Sequence, residues 1–434
     1  MTTSHNPPNR YGAFGARDLI VWGLGVVLML VAPLVFTSSL SITMLSQMGI
    51  AIVACLSYNM LLGQGGMLSF GHAVYSGLGS FVAIHALKAV GGGSFPLPVS
   101  LIPLVGGVAG LGFAVLLGFV TTKKAGTTFA MITMGIGELV FAMSLMVPEF
   151  FGGEAGVNAN RVVGKPVLGV SFGPQIQVYY LLALYTLLCT AGMYAYTRTP
   201  LGRMLNAVRD NPERVEFTGY NTQRVRYFSF IIAGFFAGIA GGMYALNFEI
   251  ATAEVVGAAR SGAYLLFTFL GGATFFFGPI IGAVLMVVAF VLLSEFTKAW
   301  LLYLGGIFLV MVMYAPGGFA SLIMMNLRVA VYGKLKGLLG SYAALAVTGL
   351  LTFFGLSAMI EMLYHLQLNE ALGPVMNFMG VSLNAQSPAS WVGAAVLALV
   401  GGAAFMVVRR RFAQRWSEVQ GEIEAVIRAR EAAL

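Results

Sequence analysis

Residues 199–226 read TPLGRMLNAVRDNPERVEFTGYNTQRVR, and with Arg198 just before them they hold six arginines against three acids. The chain around this stretch is 58% hydrophobic and only 9% charged, with a mean hydropathy of +0.86. So dense a cluster of guanidinium groups is excluded from hydrocarbon, which places the stretch in water between two apolar segments. Thr199 precedes Pro200, and Asn211 precedes Pro212 with Glu213 behind it. Each pair sets a capping oxygen before a proline at the first helical position, where the missing N–H costs nothing, and Glu213 complements the positive end of its helix. Two short helices are therefore expected, with Gly219 as a stop. Leu201, Met204, Leu205 and Val208 recur at i, i+3, i+4 and i+7, an apolar ridge available to another protein. A merely solvated loop is the competing reading.

Working outward, composition predicts an all-α polytopic membrane protein. The 56 glycines suit closely packed or interrupted membrane helices. A net charge of +8, confined to short loops, sets orientation and is not a nucleic-acid footprint. Cys55 and Cys189 lie in apolar runs and read as small buried hydrophobes, so neither a metal nor a cofactor is called for. At about twenty apolar residues per crossing, spans are expected near 19–36, 41–62, 68–90, 98–120, 126–147, 175–197, 227–248, 263–277, 279–296, 300–316, 338–363 and 390–408, about twelve in all. Every Lys/Arg-rich loop then falls on one side, which makes both termini cytoplasmic, and no small-residue cleavage site follows the first span.

Two stretches break the helical pattern. In LGQGGMLSFGHAVYSGLGS (62–80), glycines surround Ser69 and His72, and in GGATFFFGPIIG (271–282) Gly278–Pro279 interrupts a helix. Irregular backbone at membrane depth survives only where protein covers it or where it faces a water-filled path. His72 accordingly reads either as path lining or as a histidine satisfied by a neighbouring carbonyl. Glu138 lies deep in an apolar run and reads either as a path residue or as one half of a structural pair. Gly234, Gly238 and Gly242 form a tandem GxxxGxxxG on one helical face, a close-packing signal. In the tail, Phe412, Trp416, Val419, Ile423 and Val426 step by four and three. This is a seam that fits a helix on anionic lipid, near Arg409–Arg411, or one that contacts a partner.

GRMLNAVRDNPERVEFTGYNTQRVRYFSFIIAGFFAGIAGGMYAL (202–246) resembles the signature of permease subunits in branched-chain amino-acid ABC importers, the LivM/LivH family, which reads roughly GRxxRAIRxNxxAAxxxGIxxxxxKxxxFxxSxxxAGxAG. Asn206 and Glu213–Arg214–Val215 depart from that pattern. Gly66, Ser69, Gly71, His72 and Gly77 match the family's GxxGxxSLGHAAFxGxGAY, and KKAGTTFAMITMGIGELV (123–140) is similar to the RLRGxYFAMxTLAFGE segment of LivM-type chains. The resemblance implies a core of about ten helices over 19–325, preceded by a cytoplasmic N-terminus 1–18. It also implies a coupling loop, 198–226, that docks on an ATPase through Gly202, Arg203, Ala207, Arg209, Asn211, Glu213 and Gly219. Ser69, Gly71, His72, Thr133 and Glu138 are then expected along the translocation path. Two additional helices in 326–408 and a cytoplasmic amphipathic tail, 409–434, lie beyond the usual pattern.

The resemblance also implies the partners: a second, LivH-like permease, two cytoplasmic ATPases and a periplasmic solute-binding protein, assembled in the bacterial inner membrane. Branched-chain amino acids, urea, amides and aromatic acids are the solutes such permeases serve. No P-loop ending in GK[ST] occurs, so any ATPase is a separate chain. An ion-coupled secondary carrier built on Glu138 and His72 is the alternative, and no spacing supports a membrane enzyme.

Overall fold

The computed structural model describes residues 16–94, 96–163, 171–368 and 373–432. Residues 1–15 of the expected N-terminal segment 1–18 lie outside the described residues. The chain divides into two units, Met1–Val287 and Val288–Leu434.

In the first unit, α1 (Ala16–Val35) leads to α2 (Ser39–Gly65), which ends where Gly66 takes a left-handed conformation at φ 63°. The helices α3 (Ala73–Gly91), α4 (Ile102–Thr121) and α5 (Gly126–Met146) follow. A short α6 (Pro148–Phe151) and a strand β1 (Val157–Asn158) precede α7 (Gln175–Arg198). The arginine-rich stretch then forms α8 (Pro200–Asp210) and α9 (Pro212–Phe217), and α10 (Thr222–Phe248) leaves it. After β2 (Ile250–Ala251), which pairs antiparallel with β1, come α11 (Ala258–Gly271) and α12 (Gly278–Val288).

Where α3, α4 and α10 cross in this unit, their main chains meet through glycine. A Cβ on Gly238 of α10 would strike the carbonyl of Gly106 and the Cα of Gly110, both on α4. One on Gly242 would reach Pro103, and one on Gly79 of α3 would meet Gly238 and Gly106 together. Gly234 faces Ala114 and Gly241 faces the carbonyl of Ser76. Glycine at these positions lets main chains touch, so that dispersion and weak Cα–H contacts replace the solvent-driven term that is missing in lipid.

At the end of α10 remote from α8, Arg161 fixes the intervening loops. Its guanidinium donates to the carbonyls of Leu246 and Asn247 at 3.3 Å and to Phe172 at 2.9 Å, and its backbone N–H donates to Glu249 Oε1 at 2.7 Å. A cation therefore sits on the otherwise unsatisfied carbonyls that close α10.

In the second unit, a π-helical turn (Ala289–Leu293) continues α12 into α13 (Ser294–Phe296), followed by α14 (Trp300–Tyr314) and α15 (Gly318–Val331). Next come α16 (Leu339–Leu368), a hairpin of β3 (Val375–Phe378) and β4 (Val381–Asn384), and α17 (Pro388–Ala432). Glu361 and His365 lie on α16, which runs on past the expected span 338–363 to Leu368.

Among the described residues, nine helices are long and apolar enough to cross a membrane, and the pair α14–α15, bent by 52°, makes ten. One expected crossing falls short of that: the span near 263–277 lands on α11, whose 14 residues reach only about 21 Å. The span near 19–36 lands on α1, an apolar helix of 20 residues.

The tail is not a separate surface helix, because α17 is one rod of 45 residues. Except for Val426, which is exposed, its seam is covered by this unit's own residues. Val419 and Ile423 are buried with Val329 and Leu338, Trp416 stacks on Phe412, and Lys334 pairs with Glu422 at 2.7 Å. A carboxylate placed in that cluster would be buried without a partner, which is costly. Ile423→Asp is therefore expected to release the tail, so that trypsin cuts after Arg415 at least about tenfold faster than in the wild type. An unchanged cleavage rate would mean that the seam does not hold the tail.

Candidate functional site

The hinge α8–α9 is capped as its sequence dictates. The Thr199 hydroxyl accepts from Gly202 N–H at 3.2 Å, and Asn211 Oδ1 accepts from Arg214 N–H at 2.9 Å. Gly219, at φ 88°, turns the chain into α10. The apolar ridge does not await a partner. Leu205 and Val208 are buried, Leu201 and Met204 are half-buried, and α8 packs on α2, α7 and α10. The reason is economy of apolar surface: the apolar stripe on α8 faces the apolar helices beside it.

What the hinge presents to solvent is different. Arg203, Ala207, Arg209, Asn211, Glu213 and Gly219 are exposed, and beside them Phe217 stands 90% exposed with Tyr220 next to it. Sequence reasoning passed over Phe217. The signal was there, an aromatic off the ridge beside Glu216. Gly202 belongs to the joint, because a Cβ there would meet the carbonyl of Tyr196 at the end of α7.

Arg209 connects the hinge to the first interrupted stretch. Its guanidinium donates to the carbonyl of Gly63 in the last turn of α2 and to Asp210 Oδ1 at 2.9 Å, while its methylenes lie against Gly66. Leu205 packs on Gly65, and Gly63 in turn lies against the carbonyl of Ala273, between α11 and α12. The two glycine-rich breaks, separate in sequence, therefore meet beneath α8.

From Gly66 the chain doubles back along α2 to start α3 at Ala73. Apart from Gly66 and Phe70, which are exposed, this irregular segment is covered by protein, and two N–H groups along it are met by side chains. Phe70 N–H donates to Thr133 Oγ1 at 3.1 Å, and Ala73 N–H donates to Ser261 Oγ at 3.0 Å. Gly71 lies against the carbonyl of Thr133, where any Cβ would collide. His72 is fully buried, 2.9 Å from the Ser57 hydroxyl, with Tyr58 packed edge-on at 5.2 Å. The partner of His72 is thus a hydroxyl, not the carbonyl weighed from sequence. Ser57 and Ser261, which hold this turn, carried no distinguishing signal in the chain. The structure therefore brings Ser69, Gly71, His72 and Thr133 together as a buried knot.

Glu138 stands apart from that knot. It lies on the exposed face of α5 with Met131, Met134 and Leu139, and among the described residues its carboxylate has no hydrogen-bond or ion-pair partner. An ionisable group in mid-span cannot rest against lipid tails without large cost, so that face is built for water or for another polar surface.

These features define an all-α, multi-pass membrane protein of the transport-permease class. Residues 40–316 match the branched-chain amino acid transport system / permease component family, and the chain belongs to that family. It is 28% identical over 312 residues to the high-affinity branched-chain amino acid transport system permease protein LivM of Salmonella typhimurium, a match covering 66% of this chain and 71% of that one. Against the LivM of Escherichia coli the identity is 27% with the same coverage. A probable branched-chain amino acid transport permease protein, LivH, of Methanocaldococcus jannaschii is 25% identical over 63% of this chain and 86% of its own length. No solved structure matches the chain.

Proposed function

We propose that this chain is one permease subunit of an ATP-driven importer in a bacterial inner membrane, with the hinge and both termini cytoplasmic. It pairs with a second, LivH-like permease and two cytoplasmic ATPases, and receives solute from a periplasmic binding protein. The solute is a branched-chain amino acid or a related small molecule of the urea, amide or aromatic-acid kind. The exposed face of the hinge, with Phe217 as its anchor, docks on the ATPase. Motion of α8 passes through Arg209 and Gly63 to the segment 66–73, and the bundle rocks between two openings. The α5 face bearing Glu138 borders the translocation path against the second permease.

The observation that carries this reading is Phe217, a bare aromatic at the tip of a hinge whose opposite face is locked to the broken end of α2. Large aromatic anchors in interfaces are worth about 2 kcal/mol or more, so Phe217→Glu should weaken recovery of the ATPase at least about thirtyfold. Because Phe217 touches water in the isolated chain, the variant should remain in the membrane at wild-type levels. Equal ATPase recovery from both proteins, or a wild-type complex that never contains an ATPase, refutes the proposal. Glu138 favours one competitor, an ion-coupled carrier. Uptake in vesicles that stops on adding a protonophore while ATP is kept would select it.

A further inference from the structure

A second feature lies beside the docking face of the hinge. Between the start of α10 and the α4–α5 turn lies an open cavity of about 500 Å³ lined by Lys123, Glu216, Tyr220, Asn221, Thr222 and Arg226, with Gly219 and Gln223 at its edge. Its size is that of a small-molecule site. Two cations and one carboxylate face it. Glu216 is engaged already, accepting from the Thr222 hydroxyl at 2.7 Å. Arg226 is half-buried and donates from Nη2 to the same hydroxyl at 3.3 Å, while its buried Nε–H has no partner among the described residues. The N–H groups of Lys123 and Arg226 that border the cavity can give charge-assisted hydrogen bonds to an anion.

The surroundings say which anion. Lys123 Nζ sits 4.5 Å above the ring of Phe119, which packs edge-on against Tyr227 at 6.3 Å. Leu116, Phe119 and Val120 on α4 and Phe228 on α10 are exposed large apolar side chains. A cationic cavity thus opens at the end of two membrane helices, directly beside an apolar strip on those same helices. A free phosphate would use the first feature and ignore the second, whereas an anionic phospholipid uses both.

We propose that this cavity binds the phosphodiester headgroup of an anionic lipid, with its acyl chains along Phe119 and Phe228. Its single net positive charge matches the single negative charge of a phosphatidylglycerol headgroup. Because Glu216 and Gly219–Thr222 join α9 to α10, the bound lipid also steadies the joint about which the hinge turns. The assignment does not depend on which solute is carried or on what drives transport.

Native mass spectrometry of the full chain, released from detergent with phosphatidylglycerol or phosphatidylcholine at equal concentration, tests it. Phosphatidylglycerol adducts are expected to exceed phosphatidylcholine adducts about tenfold and to fall to parity in the double variant Lys123→Ala, Arg226→Gln. Lys123→Arg, which keeps the charge, should retain them and so controls for folding. Equal adducts of the two lipids in the wild type, or undiminished phosphatidylglycerol adducts in the double variant, overturn the proposal. In a parallel thermal-stability series, inorganic phosphate that protects the wild type as well as phosphatidylglycerol does would assign the cavity to a free anion and overturn the lipid.

Discussion

Gly238→Leu is expected to abolish recovery of monodisperse protein. The new Cβ would occupy the space of the Gly106 carbonyl and approach the Cα of Gly110, and both obstacles are main chain. A flexible side chain in the way would swing aside, and overpacking of that kind costs about 1–3 kcal/mol. Here α4 and α10 must separate instead, which removes the contact along their whole shared face, so the loss should be at the top of that range or beyond it. The check is size-exclusion profile and thermal midpoint in mild detergent, with Gly112→Leu as the control. Gly112 lies on α4 as well but has nothing within 4 Å of its absent Cβ. A Gly238→Leu protein that runs and melts like the wild type would refute the account of the helix contact, and a Gly112→Leu protein that fails equally would refute the explanation by position.

Arg209→Ala should separate assembly from transport. The guanidinium satisfies the carbonyl of Gly63 in the last turn of α2, where a helix leaves its carbonyls without internal partners. Charge-assisted bonds of this kind are worth about 1.5–3 kcal/mol, and an alanine also opens space against Gly66. If α8 transmits its motion through this bond, uptake should fall by about thirtyfold while the ATPase still co-purifies, because the aromatic anchor on α9 is untouched. Arg209→Lys, which keeps the charge but loses the planar fork, should recover only part of the rate. Wild-type uptake in the alanine variant would show that the link from α8 to α2 carries no motion. Loss of the ATPase from it would place Arg209 at the docking surface instead.

Local chemistry was legible in the chain where it is decided locally. Thr199–Pro200 and Asn211–Pro212 announced two caps that the structure holds with hydrogen bonds to Gly202 and Arg214. What depends on a distant neighbour was not legible. The ridge of α8 reads identically whether it meets a partner protein or α2, α7 and α10, because periodicity reports that a face is apolar and not what covers it. The same ambiguity hid the cluster of Val329, Leu338, Val419 and Ile423, whose members are about ninety residues apart. The His72 turn shows the other limit. Its glycines marked it as irregular, but the hydroxyls of Ser57, Thr133 and Ser261 that make it affordable come from three different helices. Nothing within the segment LGQGGMLSFGH names them.

The glycine faces shared by α3, α4 and α10 also constrain how this unit can deform. Ordinary helix pairs slip past one another by letting interlocked side chains change rotamer, a small shear repeated at many knobs. Where main chain rests on main chain, no knob exists to be reset, and knobs remain only at places such as Phe230, Phe235 and Ile239, so these three rods are expected to travel as a stiff slab. Flexing is then confined to its borders, and Gly66, Gly219 and Gly272, each at positive φ, are the natural creases.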